Sequence, residues 1–217
     1  ELYWKQTNEG LAVHGIDAWW CDSSEPLTPE WNHSEKPVPQ VQFAEYLQAS
    51  GDVMPTEKSM AYGYYHSMGI FDGSTKQYRE RPVVNLTRSG YFGSQKYGVI
   101  LWSGDTSAKW ETLSKQVVQG VQFSLSGLPY WTVDIGGFFV KKGMQWYWNG
   151  DYDDTVSNNG FCELYTRWLQ FAAFLPVFRA HGTDCRREPW AFEKTGTDSV
   201  PDFYGIIIDF IKLRYRL

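Results

Sequence analysis

The chain has 217 residues, with 20 Lys and Arg against 25 Asp and Glu and a formal net charge of −5 at pH 7. Hydrophobic residues make up 42% and charged residues 21%, the composition of a soluble globular protein. No basic stripe exists to neutralise phosphates, which excludes a nucleic-acid partner, and no apolar run approaches the roughly 18 residues of a membrane span.

The elements follow in chain order. A helix-like segment precedes Gly15, and its opening residues Glu1 to Lys5 carry no export-signal pattern. The compartment is therefore left open, the periplasm and the exterior included. The first strand is expected over Ile16–Asp22, and the proline-rich stretch Leu27–Glu57 reads as a long loop. Further strands are expected at Val83–Arg88, Tyr97–Trp102, Tyr130–Asp134 and Val177–His181. None alternates cleanly with polar residues, which is the look of parallel strands buried on both faces. Three apolar stripes at helical spacing lie after the third strand. Trp110, Leu113, Val117, Val121 and Leu125 form one, stopped by Gly127 and Pro129. Phe161, Leu164, Tyr165, Trp168, Ala172 and Leu175 form the second, which Pro176 ends. Phe203, Ile206, Ile207, Phe210, Leu213 and Leu217 form the third, which leaves the chain uncapped.

Strand and helix in alternation predict an α/β fold with a parallel sheet, whose closed form is the (β/α)8 TIM barrel. Asp22, Arg88, Asp105, Asp134 and His181 each fall at or just after a predicted strand's last apolar residue. In a barrel those positions share one mouth, where active sites are built. Five strands fall short of eight, so the chain is expected to be a partial barrel over 1–217 with no second domain. The remaining strands would come from the same longer protein or from another chain.

Aromatic residues stand out at 18%, with 11 Trp, 14 Tyr and 13 Phe. Several Trp neighbour carboxylates and glycines, at Trp19-Trp20, Trp102 and Trp131. An aromatic face packs on the C–H face of a sugar while carboxylates bind its hydroxyls, which points to an oligosaccharide substrate. Cys21, Cys162 and Cys185 are odd in number and widely spaced, which reads as free thiols. His14, His33, His66 and His181 lack metal-ligand spacing, so neither a metal nor another cofactor is expected. Phosphate-loop and nucleophile-elbow motifs are absent as well.

A pair of aspartates at strand ends is what a retaining glycosidase uses, one attacking the anomeric carbon and the other protonating the leaving oxygen. Each residue also has a structural reading. Asp105 could cap a helix over Ser107–Ser126, Asp22 could stabilise a turn, Asp134 could bind a sugar hydroxyl or only hold a glycine turn, and His181 could be structural.

Five blocks in order resemble glycoside hydrolase family 31, the α-glucosidase and α-xylosidase family. They are Gly-Ile-Asp-Ala-Trp-Trp-Cys-Asp-Ser-Ser-Glu-Pro, Asn-Leu-Thr-Arg-Ser-Gly-Tyr-Phe-Gly-Ser-Gln-Lys-Tyr, Leu-Trp-Ser-Gly-Asp, Ser-Gly-Leu-Pro-Tyr-Trp-Thr-Val-Asp-Ile-Gly-Gly-Phe and Pro-Val-Phe-Arg-Ala-His-Gly. The resemblance implies that the five strands are the fourth to eighth of the barrel, in its C-terminal portion. It implies Asp22 as nucleophile and Asp105 as general acid/base. Arg88, Trp102, Asp134 and His181 would line the sugar subsite, Trp20 and Phe138 would add apolar wall, and Glu25 would orient the nucleophile loop. Arg88 is the group expected to keep the nucleophile ionised, and burial near Trp102 with a second carboxylate would keep a proton on the acid. Many α-glucosidases of the family carry Trp-Ile-Asp-Met-Asn-Glu-Pro, whereas this chain has Cys21, Ser23 and Ser24. Its form is closer to bacterial α-xylosidases, including those acting on xyloglucan oligosaccharides. The alternatives are an α-glucosidase or transglucosylase of the same family, and a sugar-binding relative without catalysis, in which Asp22 or Asp105 would be replaced.

Overall fold

A computed structural model describes residues 1–25, 33–79, 81–143, 145–193 and 200–217. They gather into two compact units, Glu1–Trp102 with Ser124–Tyr130, and Ser103–Phe123 with Trp131–Leu217.

In the first unit, helix α1 (Leu2–Gly10) leads into strand β1 (Ala18–Cys21), followed by helices α2 (Pro39–Gly51) and α3 (Tyr62–Gln77) and strands β2 (Val84–Thr87) and β3 (Val99–Trp102). The strands pair in parallel, with Ala18 opposite Val84, Cys21 opposite Thr87, and Asn85 opposite Val99. This is the expected parallel arrangement, with each strand shorter than its apolar run. β3 begins at Val99 because Ser94–Tyr97 forms a 3-10 turn, and Tyr97 closes that turn rather than opening the strand.

Two helices depart from the sequence reading. The stretch expected as loop contains α2, whose Pro39 sits at its first position. The fixed φ of proline suits a helix start, where no amide hydrogen is needed; the part of that stretch at 27–32 lies outside the described residues. α3 had no predicted counterpart. Its buried residues are Gly63, Ser67, Ile70 and Ser74, a helical spacing in which Ile70 is the one large apolar side chain. A face that packs closely through Gly and Ser gives no apolar periodicity to read.

In the second unit, helix α4 (Trp110–Leu125, of which the unit holds Trp110–Phe123) supplies Leu113 and Gln116 to the interior. Strand β4 is only Trp131–Thr132, and Ser103 N donates to Thr132 O at 3.3 Å. Helix α5 (Asn159–Ala172) buries Phe161, Leu164, Tyr165, Trp168, Leu169 and Ala172 along one broad stripe. That stripe is the predicted one as far as Ala172, with Leu169 added and Leu175 beyond the helix end, and it forms the centre of the unit's core. Asn158 starts it, its Oδ1 accepting from Gly160 N at 2.9 Å and Phe161 N at 3.4 Å. Asn158→Ala is expected to lower stability by about 1 kcal/mol, read as a shift in the denaturant midpoint at unchanged slope. Helix α6 (Phe203–Arg216) is capped by Asp202, which accepts from Gly205 N at 2.9 Å, and buries Phe203 and Ile207. Arg214 of α6 donates to Ala173 O at 3.2 Å and Pro176 O at 2.9 Å, fixing the chain where α5 ends.

The fifth predicted strand is corrected. Val177–His181 is assigned no strand. Its recorded link to β4 is a side-chain bond, Thr132 Oγ1 donating to Val177 O at 2.8 Å. Strand propensity becomes a strand only where a backbone ladder forms, and here a side chain takes the carbonyl that a ladder would use.

Cys21, Cys162 and Cys185 are free, as expected. Burial pushes the Cys21 and Cys162 thiols up to about 11, so both stay protonated at neutral pH. Among the described residues no helix is long and apolar enough to cross a membrane.

Candidate active site

In the first unit the parallel register brings the polar ends together. Cys21 stands opposite Thr87, and Arg88 N donates to Cys21 O at 3.3 Å, so Asp22 and Arg88 occupy the next rung. Arg88 Nη1 lies 3.0 Å from Asp22 Oδ1, and Nη2 reaches Glu25 Oε1 at 2.5 Å and Ser23 Oγ at 3.2 Å. One guanidinium fork thus joins both carboxylates of the loop after β1. The Arg88 side chain is 14% exposed and that of Asp22 58%, so the cation is held inside while the carboxylate faces out.

The loop takes this shape because Ser23 has φ 48, a left-handed turn that costs a non-glycine residue some strain. Ser23 N donates to Asp22 Oδ1 at 2.8 Å. Buried Ser24 anchors the turn: its Oγ accepts from Thr87 Oγ1 at 2.7 Å and Ser89 N at 3.1 Å, and Ser89 Oγ donates to Ser24 O at 2.8 Å. Trp20, half exposed, sits on the same strand face two residues before Asp22. Its ring meets the buried ring of Trp102 edge-on at 5.9 Å and 83°.

In the second unit Asp105 is half-buried on the loop before α4. α4 begins at Trp110, not at Ser107, which places Asp105 too far upstream to cap it. That loop is zipped to the segment after β4. Phe138 N and Phe139 N both donate to Thr106 O, at 2.7 and 3.0 Å, and Ala108 N donates to Phe139 O at 2.9 Å. The approach requires Gly137, where φ is 79 and an added Cβ would come within 2.7 Å of Ala108 Cα.

Asp134 is wholly buried at the start of the same segment, its Oδ1 2.6 Å from Arg179 Nη2. Burial pushes the Asp134 carboxyl up to about 7; the Arg179 cation pulls against that rise and the Asp105 carboxylate adds to it. The Phe138 ring lies 5.6 Å from the His181 ring, tilted by 47°, and both side chains are half-exposed.

Each predicted site residue therefore lies in one of two clusters: Trp20, Asp22, Glu25, Arg88 and Trp102 in the first unit, and Asp105, Asp134, Phe138 and His181 in the second. The sequence reading missed Ser24, Arg179 and Arg187. Arg179 was legible in principle, because in an extended Phe-Arg-Ala-His segment it shares a face with His181. Ser24 carried no signal, since its value lies in partners more than 60 positions away. Among the described residues no group of three or more His, Cys, Asp or Glu side chains is placed to hold a metal ion.

Comparison with known proteins agrees with this architecture. The family model for the glycosyl hydrolases family 31 TIM-barrel domain matches residues 1–217. An alpha-xylosidase of Saccharolobus solfataricus is 33% identical over 222 residues, covering 100% of this chain and 26% of that protein. Human neutral alpha-glucosidase C is 32% identical over 198 residues, covering 86% of this chain and 20% of its own length. Among solved structures, the GH31 alpha-xylosidase of Xanthomonas citri superposes with a TM-score of 0.75 at 32% identity, over 98% of this chain and 21% of that one. The chain thus spans about a fifth to a quarter of the length of these relatives. With the motifs, the parallel strands and the full-length family match in agreement, the chain belongs to glycoside hydrolase family 31, within its TIM-barrel domain.

Proposed function

We propose that the protein carrying this chain is a retaining α-glycosidase acting on terminal α-linked sugars, with α-xylosides preferred. The observation that carries the reading is the first-unit cluster, in which a shielded Arg88 fork fixes an outward-facing Asp22 carboxylate directly after a strand. A nucleophile needs that combination: a cation against the oxygen, a backbone turn that aims it, and open space in front of it.

In this reading Asp22 attacks the anomeric carbon and forms a glycosyl–enzyme ester. Asp105 donates a proton to the leaving oxygen, then takes one from the water that breaks the ester. Arg88 and Glu25 hold the nucleophile in place. Trp20, Trp102 and Phe138 give apolar wall, His181 hydrogen-bonds a hydroxyl, and Asp134 contributes by fixing Arg179. The chain works as the C-terminal portion of a longer catalytic barrel. The xyloside preference is supported by the Trp-Trp-Cys-Asp-Ser-Ser-Glu-Pro motif and by the names of two relatives. The likeness to neutral alpha-glucosidase C supports the second reading, an α-glucosidase.

The test uses the full-length protein. A 5-fluoro α-xylosyl fluoride is expected to label the peptide containing Asp22, located by mass spectrometry. p-Nitrophenyl α-xyloside is expected to be cleaved with higher kcat/KM than the α-glucoside. A label on Asp105 or Asp134 would overturn the roles, and the reverse substrate order would favour the second reading.

A further inference from the structure

We propose that Arg187 is a positioning residue for sugar binding, acting through the Phe138 and His181 walls that it ties together. The inference rests on the α-glycosidase reading and extends it to a residue with no predicted role.

Arg187 is buried at 8% exposure. Its guanidinium donates through Nη2 to Gly137 O at 2.7 Å and Phe138 O at 3.0 Å. Through Nη1 it donates to Thr183 O at 3.1 Å and Cys185 O at 2.8 Å. The first pair belongs to the turn that presents Phe138, the second to the turn directly after His181. Thr183 N also donates to Phe138 O at 3.0 Å, so the two turns are joined twice at one carbonyl. Tyr165 Oη, buried in the core stripe of α5, donates to Arg187 O at 2.8 Å and fixes the arginine's own backbone.

A buried cation is costly to desolvate, and one whose recorded acceptors are main-chain carbonyls is spent on holding loop geometry. Only a planar guanidinium spans this set, because an ammonium is a point charge without the fork. Gly182 marks how tight the fit is: its φ is 148, and an added Cβ would overlap Arg187 Nη2. The clamp thus sets where the Phe138 ring stands against His181, which is the geometry a sugar ring would meet.

The experiment is a double-mutant cycle in the full-length enzyme, read as the inhibition constant of free xylose well below the melting transition. Arg187→Lys is expected to weaken xylose by about 10-fold through misplacement of the wall, and Phe138→Ala by about 10-fold through its loss. If Arg187 acts through Phe138, the double variant will be little weaker than either single one. Additive losses, about 100-fold in the double variant, would overturn the proposal, as would an unchanged affinity in Arg187→Lys. A purely structural role would lower the melting temperature without this non-additivity. If Arg187→Lys does not fold, Arg187→Gln, which keeps an amide donor without the buried charge, is run through the same cycle with the same two outcomes. Xylose binding with additive losses in an enzyme whose Asp22 still takes the fluoride label would sink this inference alone. A wild-type enzyme that takes no label and cleaves no α-glycoside would sink the α-glycosidase reading and this inference with it.

Discussion

Asp105→Ala in the full-length protein is expected to slow hydrolysis of an α-glycoside with a poor leaving group by about 10²–10⁴-fold, the usual contribution of a general acid. Substrates whose leaving group departs without a proton should lose far less in the first step. With those substrates the glycosyl–enzyme would accumulate, because no base remains to activate water. Azide, which needs no such base, should restore turnover and give an α-glycosyl azide. The Asp22→Ala variant should differ in kind: both substrate classes should fall together, on the order of 10⁶-fold as for other removed nucleophiles, and azide should not restore double displacement. Steady-state kinetics across a leaving-group series separates the two. An equal loss across the series in Asp105→Ala would show that Asp105 is not the acid. Geometry supports the distinction within each cluster, since Asp22 is exposed and fixed by Arg88 while Asp105 is half-buried beside a second acid.

Arg179→Met is expected to destabilise the protein by about 1.4 kcal/mol more at pH 8 than at pH 5, because pH 8 lies about one unit above the Asp134 value and the wholly buried carboxyl loses the cation beside it. The loss should shrink as the pH falls. Burial has already raised the Asp134 carboxyl to about 7, above the roughly 3.9 of an unfolded aspartate. A carboxyl raised on folding binds more protons in the folded state, so its contribution to stability declines as pH rises between those values. Removing Arg179 extends that window upward, which places the penalty on the alkaline side. At pH 5 Asp134 takes up its proton and the penalty should be small. Chemical denaturation at pH 5 and pH 8 measures the difference, and a loss larger at pH 5 would contradict it. Arg179→Met/Asp134→Leu should recover most of the stability at pH 8, since an apolar pair carries no uncompensated charge.

Much of this was legible in the amino-acid sequence. The α5 stripe from Phe161 to Ala172 and the start of α6 at Phe203 were readable because a helix face buried in a core must repeat at helical spacing. The strands over Ala18–Cys21, Val84–Thr87 and Val99–Trp102 were readable as parallel because apolar residues without alternation mark strands covered on both faces. Their polar ends, Asp22 and Arg88 among them, could be listed as site residues because a parallel sheet places all its carboxyl ends on one side. Local pattern and the family's motif blocks thus determined the fold class and the residue types of the site.

Partnership was decided by tertiary structure. That Arg88 reaches both Asp22 and Glu25 depends on a register set 66 residues apart, Cys21 against Thr87. α3 was illegible because its packing face is Gly and Ser with the single apolar Ile70, and Val177–His181 stayed unladdered because strand propensity does not supply a hydrogen-bonding neighbour. Arg179 against Asp134 and Arg187 across two turns were invisible for the same reason. A buried cation is stable only where the folded chain delivers its acceptors, and no local periodicity encodes that delivery.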